Sequence, residues 1–419
     1  GLGDVYKRQK RDYYLQQLIS SKSNNLIKIV TGIRRSGKSF LLFNLFHNHL
    51  IETGISEDHI IEIALDDRLN KNLRDPDVIL QHIHERIVDD KLYYIILDEV
   101  QMIDEFTDVL NSLLHIRNAD VYVTGSNSKF LSKDVVTEFR GRGDEIHLFP
   151  LSFAELYNSI GGDKFELWKS YYTYGGLPGI LELDSEKKKA AYLRSLHETV
   201  YLKDIIERNN LKNSEEFMEL MRVMASCIGS PCNPSKLENT FKSVKNETLD
   251  RKTISKYLSY MEDAFLIEKS MRYDIKGRKY IGTLSKYYFQ DIGLRNALLN
   301  FRQVEENHIM ENVIYNELRL RGFCVDVGMV EARTAKERKQ LEVDFVANMA
   351  DRRYYIQSAF AMPDDDKREQ ECASLKRIDD SFKKIIIMRD DIKPYHDNNG
   401  FYIVGLMDFL LKPDLIEQL

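Results

Sequence analysis

A short run of glycine, basic and hydroxyl residues stands between an apolar stretch and an amphipathic one. The run GIRRSGKS (32–39) fits the spacing G-x-x-x-x-G-K-[ST] of a P-loop, or Walker A motif. Gly32 and Gly37 would let backbone amides curl around phosphate oxygens, because neither has a side chain that would intrude. Lys38 would reach the outer phosphates of a nucleoside triphosphate, and the Ser39 hydroxyl would ligate Mg²⁺. The spacing therefore predicts an ATP site.

An acidic pair follows a second apolar stretch and supplies what the first motif lacks. The segment YYIILDEVQ (93–101), a Walker B pattern, ends its apolar run in Asp98 and Glu99. Asp98 is expected to hold Mg²⁺ through a water, and Glu99 to polarise the attacking water. Such a pair is often only a solvated strand end, but its place one or two strand–helix units after Lys38 favours catalysis. The expected ATP contacts are Gly32, Ile33, Arg34, Arg35, Ser36, Gly37, Lys38, Ser39, Phe40 and Asp98.

Two further segments carry polar or basic side chains that could meet the same phosphates. VYVTGSNSKF (121–130) ends in small polar residues, which would lie at the sheet edge where ligands bind in open α/β folds. Asn127 would contact the γ-phosphate or orient water; the alternative is a simple strand-ending turn. Arg142 is the preferred candidate for an arginine that stabilises the transition state, in cis or from a neighbouring subunit, and Arg140 is the second choice. The alternative is that these arginines are only solvated loop charges.

These side chains need a scaffold of buried strands and connecting helices. Short runs rich in Ile, Val and Tyr occur at 26–32, 60–67, 93–99, 121–125 and 145–149. Runs of this kind are typical of strands buried on both faces, and amphipathic stretches such as 39–54 and 106–118 separate them. The alternation predicts an α/β fold in which a parallel sheet has helices on both faces.

The pattern changes after PLSFAEL (150–156). The following region is rich in helix, with a break at GGLPG (175–179) where glycine and proline end any helix. Two short strands are expected around Gly277 in 272–282, and helices followed by a hairpin predict a winged-helix module. Segment 249–270 predicts its last helix, capped by Asp250 or Thr253, with one apolar face formed by Ile254, Leu258, Met261 and Phe265.

Positive charge is concentrated in the same module. Residues 251–286 hold nine lysines and arginines against four acids, although the whole chain has a formal net charge of −6. Winged-helix modules place such groups against phosphates and base edges, so the segment predicts binding of double-stranded DNA. The alternative is a module that contacts protein, with lysines that are only solvated. The basic residues are Arg251, Lys252, Lys256, Lys269, Arg272, Lys276, Arg278, Lys279 and Lys286.

Composition bounds the remaining possibilities. With 43% hydrophobic residues and no apolar run near the ~18 residues that span a bilayer, the chain is expected to be cytoplasmic, without contact to a membrane. Four cysteines in no zinc-like pairing indicate free thiols in a reducing compartment. The first nine residues, GLGDVYKRQ, have no helix or strand period and are interpreted as a non-native leader.

Taken together, the motifs resemble those of bacterial and archaeal AAA-type ATPases that carry a winged-helix segment and a C-terminal domain. The resemblance implies ATP binding with Mg²⁺ through Lys38, Ser39, Asp98 and Glu99, and does not identify a biological role. It rests on GIRRSGKS, LDEVQ, TGSNS and GR…LFPLSFAEL, and continues through 201–209, 272–299, 310–322 and 342–357.

The tail resembles the PD-(D/E)XK nuclease fold. In that fold a helix carboxylate, an aspartate on one strand and a [D/E]-x-K on the next gather Mg²⁺ around a scissile phosphate. Glu311, Asp344 and Gln357 occupy the three acid positions, but Gln357 is neutral and Ala359 stands where the lysine belongs. Two carboxylates and no lysine predict a nuclease-like domain without cleavage activity, kept for binding or assembly.

The predicted organisation is a leader (1–9), a P-loop ATPase core (10–155), a helical and winged-helix region (156–300) and a small α/β nuclease-like domain (301–419). One hypothesis is an ATP-driven switch that acts on DNA or on a partner. That partner could be another protein or a further copy of this chain in a homo-oligomer. A second is a nucleotide-gated scaffold that hydrolyses ATP slowly. A third, an ATP-dependent nuclease, would need a lysine recruited from elsewhere, such as Lys336 or Lys339.

Overall fold

The computed structural model describes residues 11–126, 143–245, 249–333, 338–362, 365–416 and 418. They divide into two compact units. The first lies within Gly1–Pro150, Leu177–Glu182 and Asp263–Phe265, and the second within Leu151–Gly176, Leu183–Glu262 and Leu266–Leu419. A search of the described residues finds no helix long and apolar enough to cross a membrane.

The first unit alternates strands with helices, as the sequence predicts. The helix after β1 contains a π-helical segment, Leu41–Phe46, between two α-helical parts. In chain order the elements are α1 (Asp12–Ser20), β1 (Ile27–Thr31), α2 (Lys38–Phe40, Leu41–Phe46 and His47–Glu52), β2 (Ile60–Ala64), α3 (Pro76–Arg86), β3 (Tyr93–Asp98), α4 (Phe106–Leu113), β4 (Ala119–Gly125) and β5 (Gly143–His147).

These strands form a five-stranded parallel sheet in the order β2-β3-β4-β1-β5. Alternate residues of β1 serve two cores, because successive side chains of a strand point to opposite faces. Ile27 and Ile29 pack into a core that includes helices α3 and α4, and Val30 packs into a second core with α1 and α2. Burial on both faces confirms the predicted parallel α/β sheet covered by helices.

The second unit combines helices with a mixed sheet. Its elements are α5 (Phe153–Ile160), α6 (Lys164–Tyr174), α7 (Glu186–Leu196, His197–Leu202 and Lys203–Asn209), α8 (Ser214–Ser226), α9 (Pro234–Lys245), α10 (Arg251–Asp263), β6 (Ile267–Asp274), β7 (Lys279–Phe289), α11 (Ile292–Leu298), α12 (Glu306–Leu320), β8 (Cys324–Arg333), β9 (Arg338–Met349), β10 (Arg352–Ala359), α13 (Asp365–Cys372), β11 (Lys383–Met388), β12 (Tyr395–His396), β13 (Tyr402–Gly405) and α14 (Leu406–Leu411).

One eight-stranded sheet joins the hairpin to the C-terminal strands, in the order β12-β13-β11-β10-β9-β8-β6-β7. Strand β6 pairs with β7 in antiparallel fashion and with β8 in parallel, and Arg272 lies opposite Val327 in the second pairing. Position 300 is the predicted boundary between two domains. Residues on both sides of it therefore share one sheet and belong to the second unit.

Helix α10 and the hairpin follow the predicted order, with one difference in detail. Asp250 is the cap of α10, since its carboxylate accepts hydrogen bonds from the backbone N–H groups of Lys252 (2.8 Å) and Thr253 (2.9 Å). The expectation that Phe265 extends the apolar face of this helix is wrong. The helix ends at Asp263, and Phe265 adopts a left-handed backbone conformation (φ 54°). The four cysteines are free thiols, as expected.

A buried histidine makes the stability of the second unit dependent on pH. Burial, and then the nearby charge of Arg222, lower the pKa of His197 to about 4. An unfolded histidine has a pKa of about 6.5. The unfolded chain therefore binds the proton more strongly, and stability is lost as the pH falls from about 6.5 towards 4.

We expect His197 to reduce the free energy of unfolding by about 2 kcal/mol at pH 5 relative to pH 7. Thermal melting of wild type and His197→Gln at both pH values measures this, and the variant should lose less stability on acidification. His308→Gln, at an exposed histidine of the same unit, is the control and should behave as wild type. Equal acid sensitivity of His197→Gln and wild type would show that His197 is not the cause.

Candidate functional site

The P-loop leaves strand β1, which lies between β4 and β5, in a conformation that its glycines permit. Residues Gly32 (φ 140°), Arg35 (φ 67°) and Gly37 (φ 99°) all have positive φ. A β-carbon at Gly32 would lie 2.2 Å from the carbonyl oxygen of Leu148, which follows β5. The loop can therefore pass close to the neighbouring chain only because position 32 has no side chain.

We expect Gly32→Ala to destabilise the first unit by about 3 kcal/mol, because it adds a clash with backbone to an unfavourable φ. Urea denaturation followed by circular dichroism measures the change. Gly54→Ala is the matched control, since Gly54 also has positive φ (90°) but nothing lies within 4 Å of its added β-carbon. Equal destabilisation by the two substitutions would show that the contact with Leu148 is unimportant.

Polar groups of the loop converge where a triphosphate would be held. The ammonium group of Lys38, which is 5% exposed, donates to the carbonyls of Gly32 (3.0 Å) and Ile33 (3.2 Å). The buried Ser36 hydroxyl has no hydrogen-bond partner among the described residues. A buried polar atom of this kind normally has a partner, so Ser36 is suited to a ligand oxygen. Lys38 begins helix α2, whose first backbone N–H groups favour anions.

The acidic residue at the end of β3 meets the loop directly. The hydroxyl of Ser39 donates to Oδ2 of Asp98 at 2.7 Å, and the Thr124 hydroxyl donates to Oδ1. Burial raises the pKa of Asp98, although these hydrogen bonds oppose the rise. A cation beside Asp98 would favour its ionised form. Hydroxyl and carboxylate oxygens are ligands that Mg²⁺ prefers, so Ser39 and Asp98 fit the predicted metal site.

Glu99 lies next to this pair in a left-handed conformation (φ 54°). Its backbone N–H donates to the Thr124 hydroxyl at 2.9 Å. Its carboxylate oxygen Oε2 accepts hydrogen bonds from the hydroxyl of Ser126 (3.0 Å) and from the side-chain amide of Gln101. The structure therefore brings Glu99 to the same sheet edge as Asp98 and holds its carboxylate by two donors.

Arg11 is a part of this site that the sequence analysis did not identify. Its guanidinium donates to the carbonyls of Ser36 and Phe149, both at 2.7 Å, and the residue is 3% exposed. It thus ties the P-loop backbone to the chain after β5. No motif signals this role, because the contact with Phe149 spans 138 positions.

The other residues predicted to contact ATP differ in their exposure to solvent. Ile33 is buried, Arg34 and Phe40 are half-buried, and Arg35 is exposed. Asn127, Arg140 and Arg142 lie outside the described residues, so their predicted roles stay predictions.

A second cluster of ionic side chains lies in the second unit, and the sequence analysis found only part of it. The ammonium group of Lys286, on β7, lies 2.8 Å from Oε1 of Glu311, 2.7 Å from Oε1 of Glu342 and 3.8 Å from Oδ1 of Asp344. These four residues are named here the Lys286 cluster. Gln357 adjoins it, because its side-chain oxygen accepts from the Asp344 backbone N–H at 3.4 Å. Glu311, Asp344 and Gln357 therefore come together as predicted.

The surroundings of Lys286 add to the predicted site and correct one expectation. Glu342 and Lys286 join the predicted carboxylates, while Ala359 still stands at the lysine position of the motif. The expectation that Lys286 belongs to a basic surface is wrong, because it is only 2% exposed. Arg272 is also buried and contacts the sulfur of Met329. The sequence signal for Lys286 was a lysine directly before the apolar aromatic run YYF (287–289).

Burial also shifts the ionisation of the cluster. It raises the pKa of Asp344 to about 8, and the neighbouring Glu311 adds to the rise, whereas Lys286 opposes it. Burial alone would lower the pKa of Lys286. The three carboxylates outweigh that effect and raise the pKa, so that the lysine is charged.

The fold and the nucleotide site define the class of the first unit as a P-loop ATPase domain of the AAA type. Residues 24–157 match a family model described as an AAA domain. Residues 165–305 match a model described as a domain of unknown function. The chain is 33% identical over 411 residues to an uncharacterized protein of Haemophilus influenzae, covering 96% of this chain and 98% of that protein. This chain belongs to the family of that protein.

Further similarities are more distant. An uncharacterized protein of Methanocaldococcus jannaschii is 29% identical over 374 residues, covering 85% of this chain and 79% of that protein. Among solved structures, the Aeropyrum pernix ORC1 protein in complex with DNA is 12% identical, with a TM-score of 0.31 over 69% of this chain and 91% of the other. The Saccharomyces cerevisiae Hsp104:casein complex is 11% identical, with a TM-score of 0.31 over 64% and 57%.

Proposed function

We propose that the chain is a Mg²⁺-dependent ATPase that acts as a nucleotide-driven switch on double-stranded DNA. The observation that carries the ATPase proposal is the contact between Ser39 and Asp98, at 2.7 Å, beside the P-loop lysine. In a P-loop ATPase the loop hydroxyl and the acid after a strand hold the metal together. Bound Mg²⁺ would neutralise charge that develops on the phosphates.

The chain's own side chains would do the rest of the chemistry. Lys38 would leave the carbonyls of Gly32 and Ile33 and pair with phosphate oxygens, a charge-assisted contact that those carbonyls cannot match. Glu99 would accept the proton of the attacking water. The Ser36 hydroxyl and the backbone amides of the loop would fix the phosphates in position.

A second candidate, a nucleotide-gated scaffold that hydrolyses ATP slowly, draws support from the contacts of Glu99. Its carboxylate accepts from both Gln101 and Ser126. Two donors hold this carboxylate in one orientation, so it is not free to approach an attacking water. Hydrolysis would then wait until a partner or the nucleotide changed these contacts.

The DNA part of the proposal depends on exposed charge around helix α10 and the β6–β7 hairpin. Seven of the nine predicted basic residues are exposed there: Arg251, Lys252, Lys256, Lys269, Lys276, Arg278 and Lys279. Arg251 is already bound to Glu238 at 2.6 Å, so Lys252 and Lys256 are the better phosphate contacts on α10. A helix followed by a hairpin is the order expected of a winged-helix module, and basic residues of such modules contact duplex phosphates.

Duplex binding and ATP turnover with and without duplex test this proposal. We expect duplex DNA to raise turnover, and Lys252→Ala/Lys256→Ala to weaken binding at every sequence. The slope of log affinity against log salt should fall by about 2, one for each lost phosphate contact. Lys187→Ala/Lys188→Ala, which removes two exposed lysines from α7, is the matched control and should leave the slope unchanged. Turnover that DNA does not change would exclude the DNA switch and favour the scaffold.

A further inference from the structure

The Lys286 cluster lies where the resemblance to PD-(D/E)XK nucleases implies a divalent metal. Helix α12 supplies Glu311, and strand β9 supplies Glu342 and Asp344. The three carboxylates all turn towards one point, and the ammonium group of Lys286 lies at that point. The residues that would bind the metal are therefore already paired with a cationic side chain of the same protein.

Several contacts fix this arrangement. The ammonium group of Lys286 donates a hydrogen bond to Glu311 and forms ion pairs with Glu342 and Asp344. The Tyr288 hydroxyl donates to the same Glu311 oxygen at 2.8 Å, and the Ser358 backbone N–H donates to Oδ2 of Asp344 at 2.8 Å. The Gln357 side-chain oxygen is engaged by the Asp344 backbone. Within the described part of the chain, no group of three or more His, Cys, Asp or Glu side chains is arranged to hold a metal ion.

We propose that Lys286 is a built-in cation that replaces the divalent metal of this centre. It joins β7 of the hairpin to α12 and β9, and so holds the region before residue 300 to the region after it. The cluster then serves the cohesion of the second unit, and the second unit does not cleave phosphodiesters through a metal. This inference concerns the second unit alone and does not depend on the proposed ATPase function.

The geometry also predicts what removal of the lysine would do. Lys286→Ala leaves three carboxylates around the space of one ammonium group. Two of their oxygens lie 2.7 and 2.8 Å from the nitrogen position, only slightly farther than the roughly 2.3–2.6 Å of a Ca²⁺–oxygen bond. An open cavity of about 530 Å³ borders Glu311, so a cation can reach the site from solvent. The variant should therefore acquire a cation site that the wild type lacks.

Thermal melting of the full chain without nucleotide, with and without Ca²⁺ or Mn²⁺, tests the proposal. We expect Lys286→Ala to lower Tm by about 10 °C, because it leaves buried charges uncompensated. Either cation should restore about half of this loss. The gain should disappear in Lys286→Ala/Asp344→Asn. Lys279→Ala, at an exposed position of the same strand, is the control and should melt as wild type with or without the cation.

A comparison of wild type with Asp344→Asn tests the proposal even if the Lys286 variant does not fold. The proposal requires that Mn²⁺ shift the Tm of wild type by no more than that of Asp344→Asn, and that neither protein cut plasmid DNA with Mn²⁺. A Mn²⁺-induced rise in Tm that Asp344→Asn abolishes would overturn the proposal. Mn²⁺-dependent DNA cleavage that the same substitution abolishes would overturn it equally. A folded Lys286→Ala that gains nothing from either cation would also contradict it.

Discussion

Lys38→Ala should lower the affinity for ATP at least about 100-fold. The lysine is nearly buried at the start of helix α2, and its ammonium group lies against the P-loop carbonyls of Gly32 and Ile33. Removing one member of a desolvated, hydrogen-bonded charge pair costs about 3 kcal/mol, which corresponds to this change in affinity. Isothermal titration with ATP and Mg²⁺ gives the affinity directly.

The matched control for Lys38→Ala is Lys71→Ala, which removes an exposed lysine from the same unit. It should bind ATP as wild type does, since it lies outside the P-loop. Folding of Lys38→Ala is checked by its Tm, because the substitution also removes the hydrogen bonds of this lysine to two carbonyls of its own loop. ATP affinity that Lys38→Ala leaves unchanged would show that the P-loop is not the nucleotide site.

Glu99→Gln should lower kcat by about 10²–10⁴ and leave ATP binding almost unchanged. This range is the usual contribution of a positioned general base, and glutamine keeps the shape of the side chain but cannot accept the proton. The amide can still bond to Ser126 and Gln101, so the local structure should persist. Phosphate release at saturating ATP measures kcat.

Glu105→Gln is the control for Glu99→Gln. Glu105 is an exposed acid in the chain that follows β3, and it also has positive φ (50°). Its substitution should leave kcat as in wild type. If Glu99→Gln kept full turnover, another group would have to be the base, and the role assigned to Glu99 would be wrong.

The parts of the predicted nucleotide site can be recognised in the sequence because they are local. Residues 32–39 form one loop, and the strand before it and the helix after it are visible as apolar patterns. Asp98 and Glu99 end a second apolar strand, and parallel strands bring their carboxyl ends to one edge. The contact of Ser39 with Asp98 then follows from the topology, although the two residues are 59 positions apart.

The Lys286 cluster could not be predicted in the same way. Lys286 is 25 positions from Glu311 and lies on a strand that a hairpin pattern assigns to a wing. The parallel pairing of β6 with β8 brings that hairpin into the sheet of the C-terminal strands. Such a pairing leaves no mark in the periodicity of either strand, so the sequence pattern groups Lys286 with the exposed bases.

Steady-state phosphate release from ATP would show whether the first unit hydrolyses ATP with Mg²⁺. The measurement compares wild type with Mg²⁺, wild type with EDTA, and Lys38→Ala with Mg²⁺. We expect turnover that requires Mg²⁺ and is lost in Lys38→Ala. The absence of turnover in wild type, with or without duplex DNA, or full turnover in Lys38→Ala, would show that the first unit is not this ATPase.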